Sequence, residues 1–257
     1  MFKASNLKDA FSKVEELRDN KIFISNLDWE NYEFGKNFYL NVFRDEEQTI
    51  LETDFIINKL RLKSNSKILD LGCGGGRNSL ALSQKGFEIV GVDLNKYAIE
   101  QAKLLEHPKT NFIHKNILDI DYEETFNIII LVFNHFSALN ILEAKKLLKK
   151  IEKALVRDGK LLIEIPSIYQ GFNLDKIQEW HILNNWISGN FDQLVLVENI
   201  FDEKKKIHIR RDYCISLEKL ELYDFTQVSQ LYEIEELHNL FRMFNLKLTQ
   251  AYGDWEG

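Results

Sequence analysis

Asp70, Gly72, Gly74 and Gly76 lie between an apolar run and a helical pattern, a carboxylate followed by three alternating glycines. Glycine lets a backbone turn left-handed and approach a ligand closely. The start of the helix that follows offers N–H groups without intrahelical partners. Together these features make a nucleotide-type site at the C-terminal edge of a parallel sheet. The dinucleotide fingerprint requires glycines at the first, third and sixth positions. Counted from Gly72 the sixth residue is Arg77, and counted from Gly74 it is Ser79, so that fingerprint fails. The acid inside the loop would repel a pyrophosphate and suits a ligand that carries an ammonium group. A second acid, Asp93, ends the next apolar run, where a carboxylate can accept two ribose hydroxyls.

S-adenosylmethionine (SAM) meets those requirements, with an ammonium, a sulfonium, an adenosine and no phosphate. The elements that must position the acids follow from periodicity. Residues 67–71, 87–93, 111–114, 126–133 and 160–165 read as strands, and 77–84, 96–105 and 143–155 as the helices between them, the last closed by Asp158-Gly159. The alternation implies a doubly wound, mostly parallel α/β sheet with right-handed crossovers. The near-continuous apolar run 126–133 is expected of a strand covered on both faces. Before the sheet, Leu7, Ala10, Phe11, Val14 and Leu17 recur at helical spacing, an aromatic-rich segment follows, and residues 46–61 form a second helix. After Pro166, residues 194–201, 206–216 and 219–228 read as successive strands, an antiparallel insertion placed on the substrate side. A helix over 234–244 and a returning strand over 247–252 complete the chain. The expectation is one domain over 1–257, with an N-terminal helical cap (1–62), a core (63–166), the insertion (167–230) and a return to the core (231–257).

The stretch 67–95 resembles motif I of class I SAM-dependent methyltransferases, which have a Rossmann-like fold, with Asp93 as the acid of the next motif. Phe133–Leu139 (FNHFSAL) and Ala251–Gly257 (AYGDWEG) place it near a small-molecule-type bacterial group, and the similarity runs from about Phe23 onward. The resemblance implies that Asp70, Gly72 and Gly74 contact the methionine part of SAM, that Asp93 binds the ribose and that Leu94 lies beside the adenine. Asn116 and Ile117 match the pair that receives the adenine amino group and ring edge. The family more often has Asp at the first of these, but Asn keeps an acceptor oxygen. Phe133 and His135 fall where SAM and substrate meet.

Methyl transfer from a sulfonium is an in-line displacement, so positioning supplies most of the catalysis. A general base is needed only where the acceptor must lose a proton early. His135 is the candidate base or acceptor-positioning group, and the alternative is a histidine that merely hydrogen-bonds at a strand end. Tyr32 and Tyr39 are the candidates for an aromatic lid over the sulfonium, against ordinary core packing.

The 257 residues carry a net charge of -7 with both signs interspersed, which argues against a nucleic-acid binder. Cys73 and Cys214 match no zinc spacing, so no metal is expected. Reduced thiols, no apolar leader and no apolar run long enough to span a bilayer point to a cytoplasmic protein. The expected function is methyl transfer to an N or O atom of a small molecule, with the oligomeric state open. RNA or protein methylation, a SAM-binding module without turnover and an NAD-dependent oxidoreductase are the alternatives.

Overall fold

The computed structural model describes residues 23–27, 30, 36, 46–105, 107–166, 177–184, 192–216 and 222–257. The chain divides into two compact units, Met1–Phe43 with Ile168–Leu231 and Arg44–Ser167 with Tyr232–Gly257.

In the first unit, β1 (Phe23–Leu27), β7 (Ile177–Asn184), β8 (Asp192–Asp202), β9 (Ile207–Ser216) and β10 (Leu222–Gln230) form one sheet, ordered β1-β10-β9-β8-β7. The pairs among β7 to β10 are antiparallel, as expected for the segment after Pro166. Two strands were not expected. β1 falls within the stretch read as a helical cap, and its backbone pairs parallel with β10 instead. In β7, Trp180 and Ile182 are exposed and Glu179 and His181 lie on the alternate positions, so no clean apolar face marked it as a strand.

The second unit is the α/β core. α1 (Glu46–Leu60) leads to β2 (Lys67–Leu71), α2 (Arg77–Gln84), β3 (Glu88–Asp93), α3 (Lys96–Lys103) and β4 (Thr110–His114). A 3₁₀ turn (Ile117–Asp119), β5 (Phe126–Leu131), a second 3₁₀ turn (His135–Ala138), α4 (Ile141–Ala154), β6 (Leu155–Ile163) and α5 (Ile234–Arg242) follow. The strand order is β4-β3-β2-β5-β6, parallel throughout. The order reverses between β3-β2 and β2-β5, the switch point where such sheets bind ligands.

The sheet is buried on both faces because successive side chains alternate. Leu69, Leu71, Ile129 and Leu131 join Leu147, Leu148, Ile151, Leu240 and Phe241 of α4 and α5 on one face. Ile68, Ile128 and Ile130 meet Ile56 of α1 and Leu82 of α2 on the other. Each such buried side chain contributes roughly 1.5–3 kcal/mol. α4 begins at a capping box, in which the Asn140 side chain accepts from the Glu143 N–H and the Glu143 carboxylate accepts from the Asn140 N–H.

Two expectations are corrected. Asp158-Gly159 does not close a helix, because α4 ends at Ala154 and both residues lie in β6, at a register shift against β5. Residues 247–252 form no strand: Leu246 and Leu248 pack on the core, but the segment joins no ladder. Within it only Leu248 is half-buried and the other residues are exposed, so a single packed side chain accounts for its apolar position without strand pairing.

Candidate functional site

The site lies in the second unit, where the C-terminal ends of β2, β3, β4 and β5 and the loops after them bring most of the expected residues together. Asp70 is the fourth residue of β2 and is almost wholly buried. Its Oδ2 accepts a 2.6 Å hydrogen bond from the Ser79 hydroxyl on α2, and its Oδ1 is buried without a partner. Burial pushes its pKa up to about 6, the Ser79 bond opposes this, and the nearby Asp93 carboxylate adds to it. A buried carboxylate oxygen with no donor is a place prepared for a cationic group.

The glycine loop turns through positive φ at Gly72 (76°), Gly74 (53°) and Gly76 (81°), which accounts for their alternation. At Gly72 a second demand is added. A Cβ there would lie 2.6 Å from Cδ2 of His135, so the imidazole sits against the bare backbone. The loop is tied to β3 by the Gly72 and Cys73 N–H groups, which both donate to the Val92 carbonyl at 2.7 and 3.2 Å. Asp93 completes the tie: its Oδ2 accepts from the Gly74 N–H at 2.8 Å and its Oδ1 from the Asn95 N–H at 2.7 Å. Each oxygen retains a lone pair for a ribose hydroxyl. The Cys73 thiol is pushed well above its ordinary pKa by burial and by the Asp70 and Asp93 charges, so it stays protonated and is no nucleophile.

Leu94 is half-buried after β3, and its carbonyl accepts from the His114 imidazole at 2.8 Å. Asn116 caps the first 3₁₀ turn by accepting from the Leu118 N–H at 2.8 Å, and Ile117 packs against the core beside it. Phe133 follows β5 with φ 61° and Asn134 with φ 59°, a left-handed pair of non-glycine residues. Such strain concentrates at functional sites. The Phe133 side chain is 44% exposed, and its N–H donates to Glu164 Oε2 at 2.5 Å. His135 is half-buried. Burial lowers its pKa against the opposing pull of Asp93 and of a hydrogen bond with the Gly72 backbone, so the imidazole is neutral near pH 7. Tyr32 and Tyr39 lie outside the described residues.

Residues that the sequence reading missed complete the wall. Glu52 of α1 is buried, and its Oε2 accepts from Arg77 (2.6 Å) and Asn78 (2.8 Å) while its Oε1 accepts from Gln48 (2.9 Å). Glu164, just past β6, is half-buried with its pKa raised by burial. One signal for Glu52 was available. It shares the helical positions 49, 52, 53 and 56 with buried residues, and an acid on an inward face requires a partner. The cation meant for it stands directly after Gly76.

Residues 68–159 match the family profile of a methyltransferase domain. The methyltransferase-like protein YqeM of Bacillus subtilis (strain 168) is 23% identical over 203 residues, 76% of this chain and 78% of that protein. Several other curated relatives match over less than half of their own length. Among solved structures, the CcbJ methyltransferase of Streptomyces caelestis superposes with a TM-score of 0.66 at 18% identity, over 81% of this chain and 82% of that one. The sugar N-methyltransferase KedS8 of a Streptoalloteichus species superposes with a TM-score of 0.63 at 17% identity, over 86% of each chain. At these identities the likeness is one of fold.

Proposed function

We propose that this chain, which carries a class I SAM-dependent methyltransferase domain over residues 68–159, is an enzyme that moves a methyl group to an N or O atom of a small-molecule acceptor. The observation that carries the reading is the buried, unpartnered Oδ1 of Asp70 beside a glycine loop that leaves no room for a Cβ at Gly72. The residues fit SAM. Asp70 would hold the ammonium and Asp93 the ribose, Leu94 would lie beside the adenine, and Asn116 and Ile117 would receive the adenine amino group and ring edge, Asn116 through the lone pair its cap leaves over.

When bound, SAM supplies an activated methyl carbon on a sulfonium. The chain's own part is then positioning and exclusion of water, which can contribute roughly 7–11 kcal/mol. Phe133, exposed just after β5 with a left-handed backbone, would shape the space where donor and acceptor meet. His135, neutral near pH 7, is able to accept a proton, and its contact with Gly72 also braces the loop. An amine acceptor needs no early proton removal, whereas a hydroxyl acceptor would use His135 as base. Tyr32 and Tyr39 remain the proposed lid.

Amino sugars head the acceptors to be tried, because a protein of this fold that is named a sugar N-methyltransferase shares it over most of both chains. Among the described residues no helix is long and apolar enough to cross a membrane. Residence in the cytoplasm goes with the same reading. Calorimetric titration with SAM and S-adenosylhomocysteine tests the cofactor. Binding of neither at millimolar concentration would remove the proposal. A metabolite panel incubated with methyl-labelled SAM tests turnover.

A further inference from the structure

We infer that Glu164 is a positioning residue for the reaction: its carboxylate joins the Phe133–Leu139 segment to the C-terminal segment Ala251–Gly257 and so holds the His135 ring against Gly72. The inference rests on the reading above that Phe133 and His135 stand where donor and acceptor meet.

The turn that carries these two residues is costly to form. Phe133 and Asn134 are consecutive non-glycine residues at positive φ, 61° and 59°. Such a conformation persists only where its surroundings fix it. Glu164 does so from the end of the neighbouring strand. Its own N–H donates to the carbonyl of Leu131, the last residue of β5, at 2.9 Å. Its side chain then reaches past the strand end and accepts from the Phe133 N–H at 2.5 Å. One residue thus grips the chain on both sides of Val132. Further along, the Asn134 carbonyl closes the turn by accepting from the Ser137 N–H at 3.0 Å. His135 lies between those two ties, with its ring where a Cβ on Gly72 would be.

The same carboxylate has a second donor, the Trp255 indole. Trp255 is itself seated. Its ring meets Phe55 of α1 edge-on, with centroids 5.2 Å apart and planes at 81°. Its backbone lies in a tight turn, where Asp254 Oδ1 accepts from the Glu256 and Gly257 N–H groups at 2.9 and 3.0 Å. A half-buried carboxylate is unfavourable without such donors, and burial raises the Glu164 pKa. Bonds to a charged acceptor are also stronger than neutral ones, which suits a group that must hold a strained turn. Two segments far apart in sequence therefore meet at one side chain.

The test reads the His135 imidazole by NMR pH titration of the ligand-free protein, for the wild type, Glu164→Ala, Glu164→Gln and Trp255→Phe. Burial holds the His135 pKa down and outweighs the opposing pull of Asp93 and of the Gly72 backbone bond. In Glu164→Ala the turn is released and the ring hydrated, so its pKa is expected to rise toward the ordinary histidine value. Loss of a negative charge alone would move it the other way. Glu164→Gln keeps an oxygen at the same reach and is expected to titrate like the wild type. Trp255→Phe keeps the ring packing without the donor, and a smaller rise is expected. An unchanged or lowered His135 pKa in Glu164→Ala overturns the inference, and an unchanged one in Trp255→Phe removes the C-terminal segment from it. Calorimetry supplies a second readout. Glu164→Ala should weaken SAM binding about tenfold, the worth of one charge-assisted bond. In a His135→Ala background the same change should cost no more than about twofold, because the ring it positions is gone. Losses that simply add would make Glu164 a general stabiliser of the fold and overturn the inference. Thermal melting checks folding. Should Glu164→Ala not fold, Glu164→Asp, with its carboxylate drawn back by one methylene, takes its place under the same expectations. A wild type that binds no SAM would remove the cofactor reading, while the His135 titration would still decide the role of Glu164.

Discussion

Asp70→Asn should make the ligand-free protein more stable while disabling it. Burial raises the Asp70 pKa from 3.8 to about 6, a shift of roughly two units at ~1.4 kcal/mol each. The folded state therefore holds its proton to higher pH than the unfolded state. Stability contributed by this group is full below the unfolded value, falls as pH rises from about 4 to about 6, and stays reduced above that. At pH 7.5 the buried charge costs the ligand-free chain about 3 kcal/mol. Asn removes the charge and can still accept from Ser79. Its amide nitrogen, in place of the unpartnered Oδ1, would itself lack a partner and return about 1–2 kcal/mol of that gain. The net expectation is a Tm higher by roughly 2–6 °C at pH 7.5, with little or no advantage at pH 4.5, where wild-type Asp70 is itself largely protonated. SAM affinity should drop on the order of 100-fold, the loss of a buried charge pair with the ammonium. Thermal melts at the two pH values and calorimetry at pH 7.5 measure both halves. A stability difference that is the same at both pH values would refute the electrostatic account, and undiminished SAM binding would refute the role of Asp70.

The same ionisation should appear in the wild type: SAM affinity is expected to be flat above about pH 6.5 and to fall about tenfold per pH unit below about 6, checked by calorimetry across pH 4.5–8. Gly72→Ala puts a Cβ into the His135 ring at φ 76°, so SAM affinity should fall at least tenfold and the Tm by several degrees, with the His135→Ala background relieving part of both. Asp93→Ala deprives the Gly74 and Asn95 N–H groups of their acceptor and is expected to abolish measurable SAM binding, whereas Asp93→Asn, which keeps one oxygen, should melt closer to wild type. Phe126→Ala, in a fully buried position of β5, should lower the Tm by roughly 10 °C, from a cost of about 3–5 kcal/mol, read by thermal denaturation.

Much of the core and half of the site were legible in the sequence because their causes are local. The order of strands and helices from Lys67 to Ala154 follows from side-chain periodicity, and the alternating glycines follow from three left-handed turns in one short loop. Asp70 before those glycines separated SAM from a dinucleotide with no tertiary information. Where the order was local but its partner distant, the sequence was silent. β1 became a strand only through β10, some two hundred residues later, and 247–252, read as a returning strand, joined no ladder. The tertiary structure alone decided the electrostatics of the site. The charge partners Glu52 and Arg77 lie on separate helices, the acceptor for the Phe133 N–H comes from beyond the next strand, and the His135 ring meets Gly72 across the sheet edge. Residue type and spacing can be read along a chain, but burial and charge pairing depend on which distant segments close around a group. Those are the quantities that move a pKa and orient a guanidinium.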